Sequence, residues 1–342
     1  MFKTKGNAMK ISSSLKSLPY LAAALLACLS AGTHAQDDIA NYPNKPIRLI
    51  VPFGPGGAGD AVARLMADRL RPMLNNATIL IENKPGAGGA IGTTELARAK
   101  PDGYTLLLAF DGNLVVSPTL VKSITFHPVR DFQPIAKLVN LPIMVVAHPS
   151  VKANNIKEFI DQSKVKPGDI TYGTTGVGNT MHLAGELLRT RAGMAWTHVP
   201  YASGGAKTLT DLAGGFINSA ILSVSVAGPM IRDGRLKGIG VFSDKRALLL
   251  PDVPTFQEAG IGGIEASSWL GLVAPAGTPR PLVDRLNKAA NEVIRNPEAV
   301  ARLQALALEP TPGSVDEFDA IIKSEFAKWT QVVKDANIKV EQ

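Results

Sequence analysis

The stretch Ile47-Arg-Leu-Ile-Val-Pro-Phe53-Gly54-Pro-Gly-Gly-Ala-Gly59-Asp60 decides the fold. Its first half is a continuous apolar, β-branched run, the pattern of a strand buried on both faces. Its second half is a glycine-rich turn. Residues 60–74 then place Ala61, Leu65, Met66 and Leu70 at helical spacing, which predicts an amphipathic helix. Residues 77–82 read as a second strand, 90–99 as a helix and 104–110 as a third strand. Such a βαβαβ unit requires a parallel sheet with right-handed crossovers.

The alternation then repeats. Strands are expected at 143–147, 170–172, 196–201, 216–222 and 236–241, with helices at 156–164, 180–192 and 206–214 between them. After Pro251 the pattern changes to a short helix at 254–259, an extended run at 267–274, and helices at 279–295, 297–306 and 315–336. Pro281, Pro297 and Ser314 suit helix starts. A helical tail that packs back on the first half makes that half discontinuous. The expectation is an α/β protein of two lobes, 36–141 plus 264–342 and 142–263, joined by two hinge crossings near 139–144 and 262–268.

The glycine turn also fits G-x-G-x-x-G, and Glu82 ends the next strand, as in a dinucleotide-binding unit. Two residues oppose that reading. Pro55 has no N–H to offer a pyrophosphate, and the charge of Asp60 at the helix start repels one. No Gly-Lys-Ser/Thr follows, so the loop is not a P-loop. It is either a plain tight turn or a set of open amides at a helix N-terminus. Such amides accept a milder anion, a carboxylate or a polar ligand edge.

Composition narrows the function classes. The 342 residues are 45% hydrophobic and 19% charged, as in a globular protein. The formal charge is +7, but Lys3, Lys5, Lys10 and Lys16 all precede the first acid, Asp37, so the rest carries about +3. No basic run with interleaved aromatics occurs, which speaks against nucleic-acid binding. The lysine-bearing start, the apolar run at 21–29 and the small-residue site Thr33-His34-Ala35 read as a secretory leader cleaved near Ala35. The apolar run is shorter than the ~20 residues of a membrane span. Leu25-Leu26-Ala27-Cys28 loosely fits a lipoprotein box, with Leu26 a poor match. Cys28 is the single cysteine, so cleavage after Ala35 leaves no thiol and no disulfide. The histidines lack zinc-site spacings, no G-x-S-x-G elbow occurs, and Asn76-Ala-Thr78 is a sequon by pattern alone. No cofactor or metal is expected.

Several blocks carry a family resemblance. Tyr42-Pro-x-Lys-Pro-Ile-Arg-Leu-Ile-Val-Pro-Phe53, Gly56-Gly-x-x-Asp60, Glu82-Asn-Lys-Pro-Gly-Ala-Gly-Gly89 and Pro101-Asp-Gly-Tyr-Thr-Leu106 occur in order. Tyr172-Gly-Thr-Thr-Gly-Val-Gly178, His182-Leu-Ala-x-Glu186, His198-Val-Pro-Tyr201, Leu250-Pro-Asp-Val-Pro-Thr255 and Ala274-Pro-Ala-Gly-Thr-Pro279 follow. Together they resemble the Bug family, the extracytoplasmic receptors of tripartite tricarboxylate transporters, over nearly the whole chain after the leader. The resemblance implies a periplasmic-binding-protein-like (Venus flytrap) fold and a periplasmic monomer. It implies capture of a small carboxylate (dicarboxylate, aromatic acid or amino acid) by backbone groups and waters, for membrane permease subunits. The chain departs from the family's common Ser at Thr174 and Asn179. It also has Ala202-Ser203-Gly204 where Lys-Gly is common. Both places face the expected ligand.

Ligands of open α/β sheets sit beyond the carboxyl ends of strands. That rule and the resemblance select the ligand-binding candidates. Phe53 offers a flat wall or ordinary core, Gly56 and Gly57 offer amides, and Asp60 caps the helix, orients the loop or meets a ligand amine. Asp111 follows the third strand. Thr174, Thr175, Asn179 and Thr180 form a neutral cradle where a helix begins, with capping as the alternative for the last two. Tyr201, Ser203 and Gly204 form a facing lip, and Ser223 ends a further strand. Trp269 lines the cleft or packs in the core. His182 and His198 read as structural. A ligand sensor for a membrane signalling partner shares this pattern. An exported enzyme on a small acid needs a base and nucleophile pair that the sequence does not display.

Overall fold

The structure, a computed structural model, describes residues 41–56, 58–201, 205–335 and 338. The leader, Ala35 and Cys28 lie outside the described residues, as do Gly57, Ser203 and Gly204. The first unit is β1 (Ile47–Val51), α1 (Ala58–Leu70), β2 (Ile79–Asn83), α2 (Ala90–Ala97) and β3 (Thr105–Phe110). β1 pairs in parallel with both β2 and β3, as the βαβαβ reading requires. Leu106, Leu107, Leu108 and Ala109 of β3 are buried, so the central strand has no solvent face. Each fully buried leucine stabilises the fold by roughly 1.5–3 kcal/mol. α1 turns Val62, Ala63, Leu65, Met66 and Leu70 inward, one stripe at helical spacing.

The second unit contains α4 (Ile156–Val165), β5 (Ile170–Thr174), α5 (Thr180–Ala192), β6 (Trp196–Pro200), α6 (Gly205–Ala213), β7 (Ser219–Ser223), α7 (Val224–Arg232) and β8 (Lys237–Val241). β5 pairs in parallel with β6 and β7. Between the two units runs β4 (Phe132–Ala147), much longer than the 143–147 expected from its most apolar part. Its first eleven residues pair with β9 (Ser267–Pro275), and the rest pair with β7 and β8. Pro134 sits at a register shift of β4, where a missing N–H is tolerated. The strand order is β2-β1-β3-β9-β4-β7-β5-β6, with β8 and β10 (Glu309–Pro310) also on β4.

The two crossings lie side by side. β4 changes partners between Pro142 and Ile143, and the return passes from Phe242 through Ala266 into β9. The tail forms α8 (Arg280–Arg295), α9 (Pro297–Ala305) and α10 (Val315–Asp335). α8 and α10 pack on β4, and Phe318 of α10 meets Trp269 edge-on at 5.1 Å.

Two expectations are corrected, and two further elements appear. The stretch 254–259 is a run of turns around a one-residue bridge of Thr255 to Val241, not a helix. The strand expected at 216–222 is Ser219–Ser223, and Phe216 is exposed before it. α7 was not expected, because Pro229 inside it removes a donor and reads as a breaker. A π-helical turn, Gly112–Val116, running into the short α3 (Ser117–Leu120), was also not expected.

Candidate ligand-binding cleft

Four strand ends meet around one cavity of about 400 Å³. After β1 comes Phe53, β3 ends in Phe110 with Asp111 next, after β5 comes Thr175, and β7 ends in Ser223; all line it. The N-terminus of α5 supplies Asn179, Thr180 and Met181, and the start of β9 supplies Ser268. Leu141, beside the β4 crossing, and Val177 complete an apolar wall with the two phenylalanines. A larger cavity of about 730 Å³, lined by Asn140, Glu265, Glu325 and Lys328 among others, shares no lining residue with this one.

The first side of the cleft is set by ring packing. Phe53 and Phe110 meet edge to face with centroids 4.6 Å apart. The last glycine of the turn, Gly59, makes room for this pair: a Cβ there would stand 2.9 Å from the Phe110 ring. The G-x-G-x-x-G spacing therefore serves ring packing here. Glu82, the other half of the dinucleotide pattern, is held by both N–H groups of Arg48 at 2.8 Å. Asp60 does not line the cavity. Its carboxylate accepts from the Gly56 N–H at 3.1 Å, from Arg64 at 2.8 Å and from Asn83 at 3.2 Å. Those bonds, Arg64 foremost, hold its pKa below the usual range although burial opposes them. Asp60 thus pulls the turn back onto the helix from within its first turn, the reach of a capping-box residue. Gly56 takes φ +89°, a conformation open to glycine, and lies exposed outside the cavity lining.

The turn after β3 is fixed by side chains far from it in sequence. Asn113 Oδ1 accepts the Phe110 N–H at 2.7 Å, its Nδ2 donates to Thr93 at 2.5 Å, and Thr93 donates to the Gly89 carbonyl. Asp111 follows from that geometry. It is 1% exposed, and its carboxylate accepts from the Ser268 hydroxyl, the Thr180 hydroxyl, the Trp269 N–H at 3.3 Å and the Gly112 N–H. Burial pushes its pKa up, against those four donors. A carboxylate offers about four acceptor positions, so Asp111 is saturated. It joins the end of β3 to α5 and to β9 at once.

The second side is the α5 N-terminus. Asn179 caps it, accepting the His182 N–H at 3.0 Å, and its amide donates to Thr175 Oγ1 and the Gly176 carbonyl. Such a cap is worth roughly 1 kcal/mol. Thr174 is fully buried beneath the cradle and does not line the cavity. Its hydroxyl donates to the Gly176 carbonyl, so the His198 Nε2 at 2.7 Å from it must be the donor to its oxygen. His182 Nδ1 accepts the Gly178 N–H and therefore carries no proton there. The two imidazoles stack at 4.1 Å on the pillar of Tyr172 and Trp196. Burial, then the neighbouring His182, push the His198 pKa down to about 3. These histidines hold the cradle from below, a role their sequence spacing does not reveal.

Tyr201 turns away from the cavity lining: its hydroxyl bonds Asp211 and its ring packs beside Gly173. Trp269 is fully buried and donates its indole N–H to Glu325 at 2.7 Å, which makes it core. Ser223 Oγ pairs with Ser225 at 2.8 Å. Among the described residues, no group of three or more His, Cys, Asp or Glu is placed to hold a metal ion. None of their helices is long and apolar enough to cross a membrane. Among the described residues, the lining holds aromatic and aliphatic walls, hydroxyls, amides and a single carboxylate, and neither Lys, Arg nor His.

Comparison with known proteins agrees with this architecture. The model of the tripartite tricarboxylate transporter family receptor matches residues 62–338. Protein BugT of Bordetella pertussis is 32% identical over 313 residues, 91% of this chain and 95% of that protein. The structure of the periplasmic binding protein BugD is 35% identical, with a TM-score of 0.73 over 88% of this chain and all of that one. An R. palustris protein solved with adipate is 30% identical, with a TM-score of 0.76 over 87% of this chain and 99% of that one. The fold is thus the two-lobed α/β fold of periplasmic binding proteins. This chain belongs to the tripartite tricarboxylate transporter receptor family, together with the Bug proteins.

Proposed function

We propose that this protein is a periplasmic receptor that captures a small organic acid between two lobes and hands it to the permease subunits of a tripartite transporter, without altering it chemically. The lobes in this reading are 36–141 plus 264–342, and 142–263, closing about the β4 and β9 crossings. The observation that carries it is the cleft itself: the capped N-terminus of α5, with Thr175, Asn179 and Thr180, faces a ring wall across one cavity. A helix N-terminus stabilises an anion by roughly 0.3–1 kcal/mol, and up to ~2 kcal/mol when partly buried. No basic side chain is needed for that.

In this reading Phe53, Thr175, Asn179, Thr180 and Ser223 meet the ligand directly or through water, and the saturated Asp111 carboxylate beneath them fixes their positions. Gly56, Asp60, Thr174 and Tyr201 hold the loops, and Gly57, Ser203 and Gly204 extend the rim. The protein acts as a monomer, released to the periplasm by cleavage near Ala35. An adipate-bound relative of the same fold supports the choice of a carboxylate. The test is calorimetry and thermal shift with a panel of small mono- and dicarboxylates. At 100 times its Kd a ligand stabilises the protein by ~2.7 kcal/mol. Absence of any shift with every acid would end the reading.

A further inference from the structure

We propose that Ser268 reads the carbon beside the ligand's carboxylate, so that this cleft prefers acids carrying a hydrogen-bond donor there, 2-hydroxy and 2-amino acids. This rests on the carboxylate-capture reading and narrows it. At the α5 N-terminus the His182 N–H goes to the Asn179 side chain and the Leu183 N–H to the Asn179 carbonyl. The Thr180 and Met181 amides precede that first intrahelical bond, and both residues line the cavity. They are the donors open to an anion at this end. The Asn179 amide group is already spent on Thr175 and the Gly176 carbonyl.

The Asp111 carboxyl stands at the same end, bonded to the Thr180 hydroxyl through Oδ2 and to the Ser268 hydroxyl through Oδ1. Its other partners, the Trp269 and Gly112 N–H groups, can only donate. When Asp111 is ionised, both hydroxyls donate to it and turn lone pairs toward the cavity. When it is protonated, the form that burial favours, its proton goes to one hydroxyl and the other still donates to it. Oδ1 accepts the Trp269 N–H as well as Ser268, so that proton belongs on Oδ2, toward Thr180. The Thr180 hydroxyl is then released to donate to a ligand carboxylate. In either form the Ser268 proton stays on Asp111. Its oxygen, on a half-buried residue of the lining, is an acceptor. Because Ser268 and Thr180 share one carboxyl group, the ligand's donor must lie close to its carboxylate. One such bond, exchanged against water, is worth roughly three- to tenfold in affinity.

Calorimetry on the purified protein tests this with two matched sets of acids. One is lactate, alanine, propionate and 3-hydroxypropionate; the other is mandelate, phenylglycine, phenylacetate and 4-hydroxyphenylacetate. In a set that binds, the 2-hydroxy or 2-amino acid should exceed the unsubstituted acid by about threefold or more. The isomer with its hydroxyl moved away from the carboxylate should show no such gain. A gain for the hydroxy acid alone assigns a hydroxyl donor, and a gain for the amino acid alone assigns an ammonium. Ser268→Ala should bring the ratio to within about twofold of unity, and Ser268→Thr, which keeps the hydroxyl, should retain it. Unsubstituted acids binding the parent as tightly as their 2-substituted partners overturn the selectivity and leave carboxylate capture intact. A parent-like ratio in a folded Ser268→Ala protein overturns the role of Ser268. If no acid of either set binds, the capture reading fails and this inference falls with it.

Discussion

Glu325 provides a quantitative check on the core behind the cleft. It sits on α10, where Trp269 donates to Oε2 at 2.7 Å and where Lys328 and Lys137 are its neighbouring cations. Burial, reinforced by the negative charge of Asp111, pushes its pKa from 4.5 up to about 7. The native state then keeps a proton that the unfolded chain releases above about pH 4.5. Stability therefore falls as pH rises from about 4.5 to 7 and levels off above that. A displacement of that size corresponds to about 3 kcal/mol at pH 8. Glu325→Gln still accepts from the Trp269 indole but carries no charge at any pH. Its stability relative to the parent should rise by roughly 2–3 kcal/mol between pH 5 and pH 8. Urea unfolding of both proteins at pH 5, 6, 7 and 8, followed by far-UV circular dichroism, measures this. Taking the difference at each pH cancels every other titrating group. Parallel profiles, within ~0.5 kcal/mol across the range, would show that Glu325 ionises freely and that the buried cluster is misread.

Four further outcomes are expected. Thr180→Val removes a donor from the buried Asp111 carboxylate and should cost about 1–3 kcal/mol in urea unfolding; a neutral variant would mean the α5–β3 bridge carries no weight. Asn179→Ala should cost ~1 kcal/mol of stability and weaken acid binding, because cap and cradle are the same side chain; calorimetry showing full affinity would separate the two. His198, held at about 3, should show no imidazole titration between pH 5 and 8 by NMR, and its contribution to stability should be lost as pH falls from about 6.5 toward 3; a midpoint near 6.5 refutes the buried neutral ring. Phe53→Ala should reduce benzoate affinity about tenfold with little change in melting temperature, since Phe53 is only half-buried; equal affinity would place the ring outside the site.

Local pattern was enough for much of this protein. The apolar run at 47–53, the stripe of α1 and the alternation through β8 are short-range facts, and periodicity reads them directly. The ordered blocks from Tyr42 to Pro279 carried the family resemblance, because most of them sit at a strand end or turn where backbone geometry restricts the residue type, His182–Glu186 inside α5 being an exception. Local reading failed where tertiary contacts override local preference. Pro142 and Pro134 hid the first part of β4, and Pro229 hid α7, because a missing N–H reads locally as a break, whereas Pro134 falls at a register shift of β4 and α7 continues through Pro229.

The chemistry of the cleft lay beyond sequence for a different reason. Thr180 and Ser268 lie 69 and 157 residues from Asp111, whose carboxylate they share, and no spacing rule connects the three. Only the packing of four strand ends decided that, among the described residues, the cleft lining holds a buried carboxylate and neither a lysine nor an arginine. Periodicity records which side of an element is buried; the sign and orientation of a charge in a cavity depend on which distant elements arrive there together.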